Sequence, residues 1–165
     1  MNKGTRSIAI SGIAGAIAVV IMLAGYLIGA GTYASPMLAG FVLIAVGLAS
    51  GRRYQLLAYI SVSLLCVMLV REWEENLMFI CLFGWYPMVR TRLQKLPAIP
   101  RACIKQIGFN LIIVAVEALV MRVLAPETES AGMLAALLVL ANVLFVLYDM
   151  LVPKMEKLLK TRLKL

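Results

Sequence analysis

From residue 7 to residue 51 no side chain carries a charge, and the apolar blocks that follow are divided by short connections that do. A helix needs about 20 predominantly apolar residues to cross the hydrocarbon core of a bilayer. We read six such spans, at residues 8–30, 34–50, 54–70, 76–89, 104–124 and 132–152. Hydrophobic residues make up 63% of the chain, against about 45–50% in soluble domains. The mean hydropathy is +0.97. The first block follows Lys3 and Arg6, as the apolar core of a signal peptide would. It is longer than such a core and lacks a cleavage pattern, so it is expected to be a retained span.

The connections alternate in charge. The N-terminus carries Lys3 and Arg6, and the connection GAGTYAS carries none. Arg52 and Arg53 follow, then Arg71 against Glu72, Glu74 and Glu75. The fourth connection has Arg90, Arg92, Lys95, Arg101 and Lys105, and the fifth has Glu127 and Glu129. The tail carries Lys154, Lys157, Lys160, Arg162 and Lys164 against Glu156. Every second connection is basic. Positive residues accumulate on the cytoplasmic side, so the pattern predicts an all-α, six-transmembrane-helix bundle with both termini cytoplasmic. The same distribution accounts for the net charge of +8 without nucleic acid. Residues 1–152 form the transmembrane domain. Residues 153–165 form a basic amphipathic cytoplasmic tail, suited either to anionic lipid of the inner leaflet or to a partner protein.

The chemistry of catalysis is thin. There is no histidine, and Cys66, Cys81 and Cys103 share no metal-binding spacing. No P-loop, zinc-protease helix or serine elbow is present. The chain is expected to be no enzyme and to hold no cofactor and no metal.

Several helix faces carry more. Ser11 with Gly15, and Gly12 with Ala16, are small residues four apart, and so are Gly25 and Gly29. Such stripes let helices approach closely in lipid, where apolar burial between helices no longer drives association. They serve either packing inside the bundle or docking of a second membrane protein. In the fifth span Gln106, Asn110, Ile113 and Glu117 share one face, and in the sixth Asn142 and Asp149 do. A carboxylate at membrane depth is costly and faces the bundle interior, a cavity or a partner. Glu117 is therefore either a binding group or the partner of Arg122 or an asparagine. Asp149, near the inner end, has Lys105, Lys154 or the lipid interface within reach.

The fourth span, within REWEENLMFICLFGWYPMVRTR, is too short unless its acidic entrance joins the helix. A helix starting at Glu72 puts Glu72, Asn76, Phe79, Phe83, Tyr86 and Arg90 on one stripe. The carboxylates then lie at an outer mouth above aromatic walls, where they would concentrate cations. The alternative leaves Glu72, Glu74 and Glu75 in a solvated loop. Trp85 suits an interfacial belt.

The opening SIAISGIAGAIAVVIMLAGYLI, the block SPMLAGFVLIAVGLASGRRYQLLAYISVSLL, the chain's size and its six spans resemble the substrate-binding S components of energy-coupling factor transporters. FGWYP with its basic sequel is similar to a segment of small prokaryotic membrane proteins of the same kind. The resemblance implies a prokaryotic cell-membrane protein that captures a vitamin or similar micronutrient from outside. Import then depends on a transmembrane coupling subunit and a pair of ATPases. It implies docking of the coupling subunit on Ser11, Gly12, Gly15 and Ala16. It also implies a pocket in the outer half, which points by location to Tyr33, Glu72, Trp73, Asn76 and Glu117. A cell-envelope scaffold subunit without a ligand and a small solute permease are the competing readings.

Overall fold

The computed structural model describes residues 3–29, 32–120, 122 and 131–163. Among these every regular element is helical: α1 (Lys3–Ile28), α2 (Ala34–Ser50), α3 (Arg52–Leu69), α4 (Trp73–Met78), a π-helical turn (Phe79–Phe83), α5 (Tyr86–Leu93), α6 (Ala98–Leu119) and α7 (Ala131–Leu163). The expected outer acids Glu127 and Glu129 lie outside the described residues.

Among the described residues three stretches are long and apolar enough to cross a membrane: Gly4–Ile28, Ala98–Leu119 and Leu138–Arg162. Only 28%, 17% and 22% of their apolar windows are buried within the fold. Ile13, Leu27, Ile107, Leu111, Val139 and Met150 point outward and are exposed. A continuous apolar exterior of this kind suits hydrocarbon rather than water. The apolar helix Ala34–Ser50 is shorter.

Its place in the fold explains its length. α2 is the hub, packed against α1, α3, α7 and the π turn. One face of α2 contributes Ala39, Leu43 and Val46 to a core shared with Ala18 and Met22 of α1 and Val62 and Cys66 of α3. The opposite face contributes Met37, Phe41 and Ile44 to an aromatic core with Phe83, Tyr86, Phe109, Phe145 and Tyr148. In that second core Phe109 stacks on Phe145 at 4.2 Å and Tyr148 meets Phe83 edge-on at 5.1 Å. Close approach of α7 and the π turn to α2 requires Gly40. A β-carbon there would stand 2.6 Å from Tyr148 Oη and 2.7 Å from the Phe83 carbonyl oxygen.

The fourth expected span is a broken helix. The π turn widens the coil after Met78, and α5 starts only at Tyr86, with proline in its first turn. Breaking a helix frees carbonyls, which in a membrane must find donors within the protein. Here side chains supply them. Tyr59 Oη donates to the Ile80 carbonyl at 2.7 Å, Trp85 Nε1 to that of Cys81 at 2.7 Å, and Tyr148 Oη to that of Phe83 at 3.2 Å. Trp85 therefore turns its ring nitrogen back onto the break. The π turn also rotates the register, so the expected stripe below the acids does not form an open wall. Phe79 is buried in the core with α1 and α3, while Phe83 and Tyr86 are buried in the other.

The boundary expected at residue 152 is not a helix end. α7 runs on through Pro153, where the ring costs the helix one backbone donor. Met155 and Leu159 pack against the aromatic core, while Lys154, Lys157 and Lys160 are exposed. Leu158 is exposed, so the apolar contact after Pro153 that the fold shows is made on the bundle itself by Met155 and Leu159.

Candidate functional site

Two polar centres occupy opposite ends of the bundle. At the end where α1 turns into α2, Gly29 adopts a left-handed φ of +69° and the chain reaches Tyr33 just before α2. Tyr33 is buried, and its Oη lies 3.1 Å from Glu117 Oε1 of α6 and 3.2 Å from Glu74 Oε1 of α4. A phenol has one proton to donate, so Tyr33 bonds one of the two carboxylates at a time. Burial first, and then the negative charges of Glu74 and Glu117, push the Tyr33 hydroxyl above the usual phenol range. It stays protonated at any physiological pH.

Beside this triad Glu75 is fully buried and accepts a hydrogen bond from Ser35 Oγ. The contact depends on Gly25 of α1. A β-carbon there would collide with Ser35 Oγ and lie 3.0 Å from Glu75 Oε1. The small residue at position 25 thus serves packing inside the bundle.

Of the residues expected to bind substrate, the structure brings together Tyr33 and Glu117 and leaves the others apart. Glu72 is exposed, because the chain at Glu72 is extended and the helix starts at Trp73 instead. Glu74 and Glu75 then occupy the first turn, where the partial positive charge of a helix N-terminus favours acids. That one-residue difference turns Glu74 and Glu75 inward in place of Glu72. Trp73 is 49% exposed and lies outside the cluster. Asn76 is buried, but its Nδ2 donates at 2.8 Å to the Val70 carbonyl, tying the start of α4 to the end of α3. Its Oδ1 has no hydrogen-bond partner. The reading from sequence missed Glu74, Glu75 and Ser35 as partners. The signal for the two acids was the helix start one residue later, whereas Ser35 offered none.

The opposite end is built on Asp149 of α7. Its Oδ1 accepts from Tyr86 Oη, from Arg90 Nε at 3.0 Å and from Lys105 Nζ at 2.8 Å, while Oδ2 accepts from the same Lys105 Nζ at 2.8 Å. Arg90 Nη1 also approaches Glu156 Oε1 at 4.0 Å. Asp149 does take Lys105, one of its expected partners. Between the two ends, Asn110 and Asn142 exchange amide hydrogen bonds at 3.0 Å, and Gln106 Nε2 donates to Asn142 Oδ1. The expected polar faces of the fifth and sixth spans therefore meet each other. In lipid such pairs hold helices where apolar burial cannot.

The expected docking stripe on α1 divides. Gly15 is buried, and a β-carbon there would lie 3.6 Å from Val62 of α3. Ser11 is half-buried and bonds within its own helix to the Ser7 carbonyl at 2.8 Å. Gly12 and Ala16 are exposed, and nothing lies within 4 Å of a β-carbon at Gly12. All four line an open, shallow groove of about 380 Å³ between α1 and α3.

Among the described residues no group of three His, Cys, Asp or Glu side chains is placed to hold a metal ion. No family model matches the chain, and no curated protein and no solved structure is found similar to it.

Proposed function

We propose that the chain is a six-span membrane protein with both termini in the cytoplasm that captures a small cationic or amine-bearing micronutrient at its outer face. The observation that carries this reading is the convergence of Glu74 and Glu117 on the single hydroxyl of Tyr33. Two carboxylates from different helices around one buried phenol form an electron-rich locus. An ammonium or protonated ring nitrogen offers such a locus several donors, and an aromatic face adds to the attraction.

The alternation of loop charge supports a Tyr33 end outside and an Arg90 end inside. On this reading the chain supplies recognition, and energy comes from elsewhere. The resemblance to S components supports a transmembrane coupling subunit and an ATPase pair as partners, with Gly12 and Ala16 as the docking points. The basic face of the tail suits the anionic inner leaflet. A scaffold without ligand would need the packing faces but no acidic convergence.

Sidedness is tested with single cysteines in a variant whose three native cysteines are replaced by serine or alanine. In intact cells, Glu72→Cys is expected to react with a membrane-impermeant maleimide, and Arg53→Cys is expected to react only after permeabilisation. Both positions are exposed in the fold. Reaction of both from outside, or of Arg53→Cys alone, would remove an outward-facing acidic end and the capture proposed there.

A further inference from the structure

At the Arg90 end, α5, α6 and α7 border an open cleft of about 500 Å³ lined by Arg90, Gln94, Ala98, Arg101, Lys105 and Asp149, with the exposed Ala102 beside them. Its charge is unbalanced. Arg90, Arg101 and Lys105 line it with one carboxylate, and even with Glu156, 4.0 Å from Arg90 Nη1, one positive charge is in excess. Asp149 is already occupied, since Tyr86, Arg90 and Lys105 all donate to it. Arg101 has no ion-pair partner among the described residues. Arg90 is 6% exposed, and its Nη1 has no hydrogen-bond partner.

A buried guanidinium nitrogen left without an acceptor is costly. The nearest further acid, Glu156 of α7, stands 4.0 Å from that Nη1, beyond hydrogen-bonding distance. The cleft also lies against the N-terminal turn of α6, whose Ala98, Arg101 and Ala102 line it, and a helix N-terminus favours negative charge.

We infer that this cleft binds a phosphate-bearing anion. Arg101 and Lys105 contact its oxygens, and Arg90 supplies buried charge behind them. Phosphate is favoured because guanidinium and ammonium groups together match its several acceptor oxygens. The source is either the headgroup of an anionic lipid or a soluble phosphate. The inference is independent of ligand capture at the Tyr33 end.

Two probes separate the sources: phosphatidylglycerol against phosphatidylcholine, counted as bound lipid by native mass spectrometry, and inorganic phosphate, followed by thermal stability in neutral detergent. Arg101→Gln removes one charge-assisted contact and is expected to weaken binding of the responding probe by about tenfold. Ala102→Glu puts a carboxylate at the exposed rim and is expected to abolish binding while the Asp149 network and the fold persist. Retention of phosphatidylglycerol alone assigns a lipid site, and stabilisation by phosphate alone assigns a soluble one. Response to both assigns the phosphate group itself. Failure of both probes with the unaltered protein, or binding that neither substitution changes, overturns the inference.

Discussion

Replacing Asp149 by alanine is expected to destabilise the bundle by about 3–5 kcal/mol, the range found when one partner of a buried ion network is removed. The change strips Tyr86 Oη, Arg90 Nε and Lys105 Nζ of a shared acceptor. It leaves Arg90, 6% exposed, and the Lys105 ammonium, whose side chain is 9% exposed, with no carboxylate within hydrogen-bonding reach. Lys105 is then uncompensated between α5, α6 and α7, and Arg90 keeps only Glu156, 4.0 Å from its Nη1. The remaining packing persists: α6 meets α7 through the Phe109–Phe145 stack and the Asn110–Asn142 pair, and α5 meets α7 through Tyr86 against Phe145 and Tyr148. Reversible unfolding in mixed micelles measures the loss. Combining Asp149→Leu with Arg90→Met and Lys105→Met removes charge and acceptor together and is expected to restore most of the stability. A loss below about 1 kcal/mol for Asp149→Ala, the range of a solvated surface pair, would show that water satisfies this end of the bundle.

The second large effect concerns assembly rather than folding. Gly12→Leu with Ala16→Leu is expected to abolish co-purification with a transmembrane coupling subunit while leaving stability within about 0.5 kcal/mol, as for surface changes that touch no buried group. Both residues are exposed, and the space beyond Gly12 is open, so leucines there fill the groove between α1 and α3 without disturbing its walls. Gly15→Leu is the informative contrast. A β-carbon added there would meet Val62 at 3.6 Å, so a longer side chain drives α1 from α3, costing about 1–3 kcal/mol as overpacking does. Co-purification that survives the double leucine change removes the docking assignment. Unfolding by the double change would show that the whole stripe is internal.

How far the sequence went depended on whether its signals were local. The bounds of α2 were readable because both ends are marked. An uncharged turn precedes it, and Gly51, with φ of +91°, and Arg52 follow it. The pairing of Gln106 and Asn110 with Asn142 was half readable. Helical spacing put each set on one face, but only the fold shows that the faces meet. The break in the fourth span was visible as a shortage of apolar length, not as a π turn. That turn is held by hydrogen bonds from Tyr59 and Tyr148, which come from α3 and α7. No pattern within residues 72–92 reports on donors so remote. The same limit explains the exchange of Glu72 for Glu74. Glu72 lies in extended chain before the helix and turns outward, while Glu74, inside the first turn, faces Tyr33. The continuation of α7 past Pro153 carried no local signal, since Met155 and Leu159 pack onto a core built by distant helices.

The most direct test of ligand capture at the Tyr33 end is to purify the protein from its native membrane, denature it, and identify by mass spectrometry the small molecules released. The account predicts an amine-bearing or cationic compound enriched with the unaltered protein and depleted about tenfold or more with Glu117→Gln and with Glu74→Gln, the loss of one charge-assisted contact each. Glu72→Gln, exposed and outside the cluster, is expected to retain it. Release of the same compound in equal amount from all four proteins, or of no compound at all, would contradict the account.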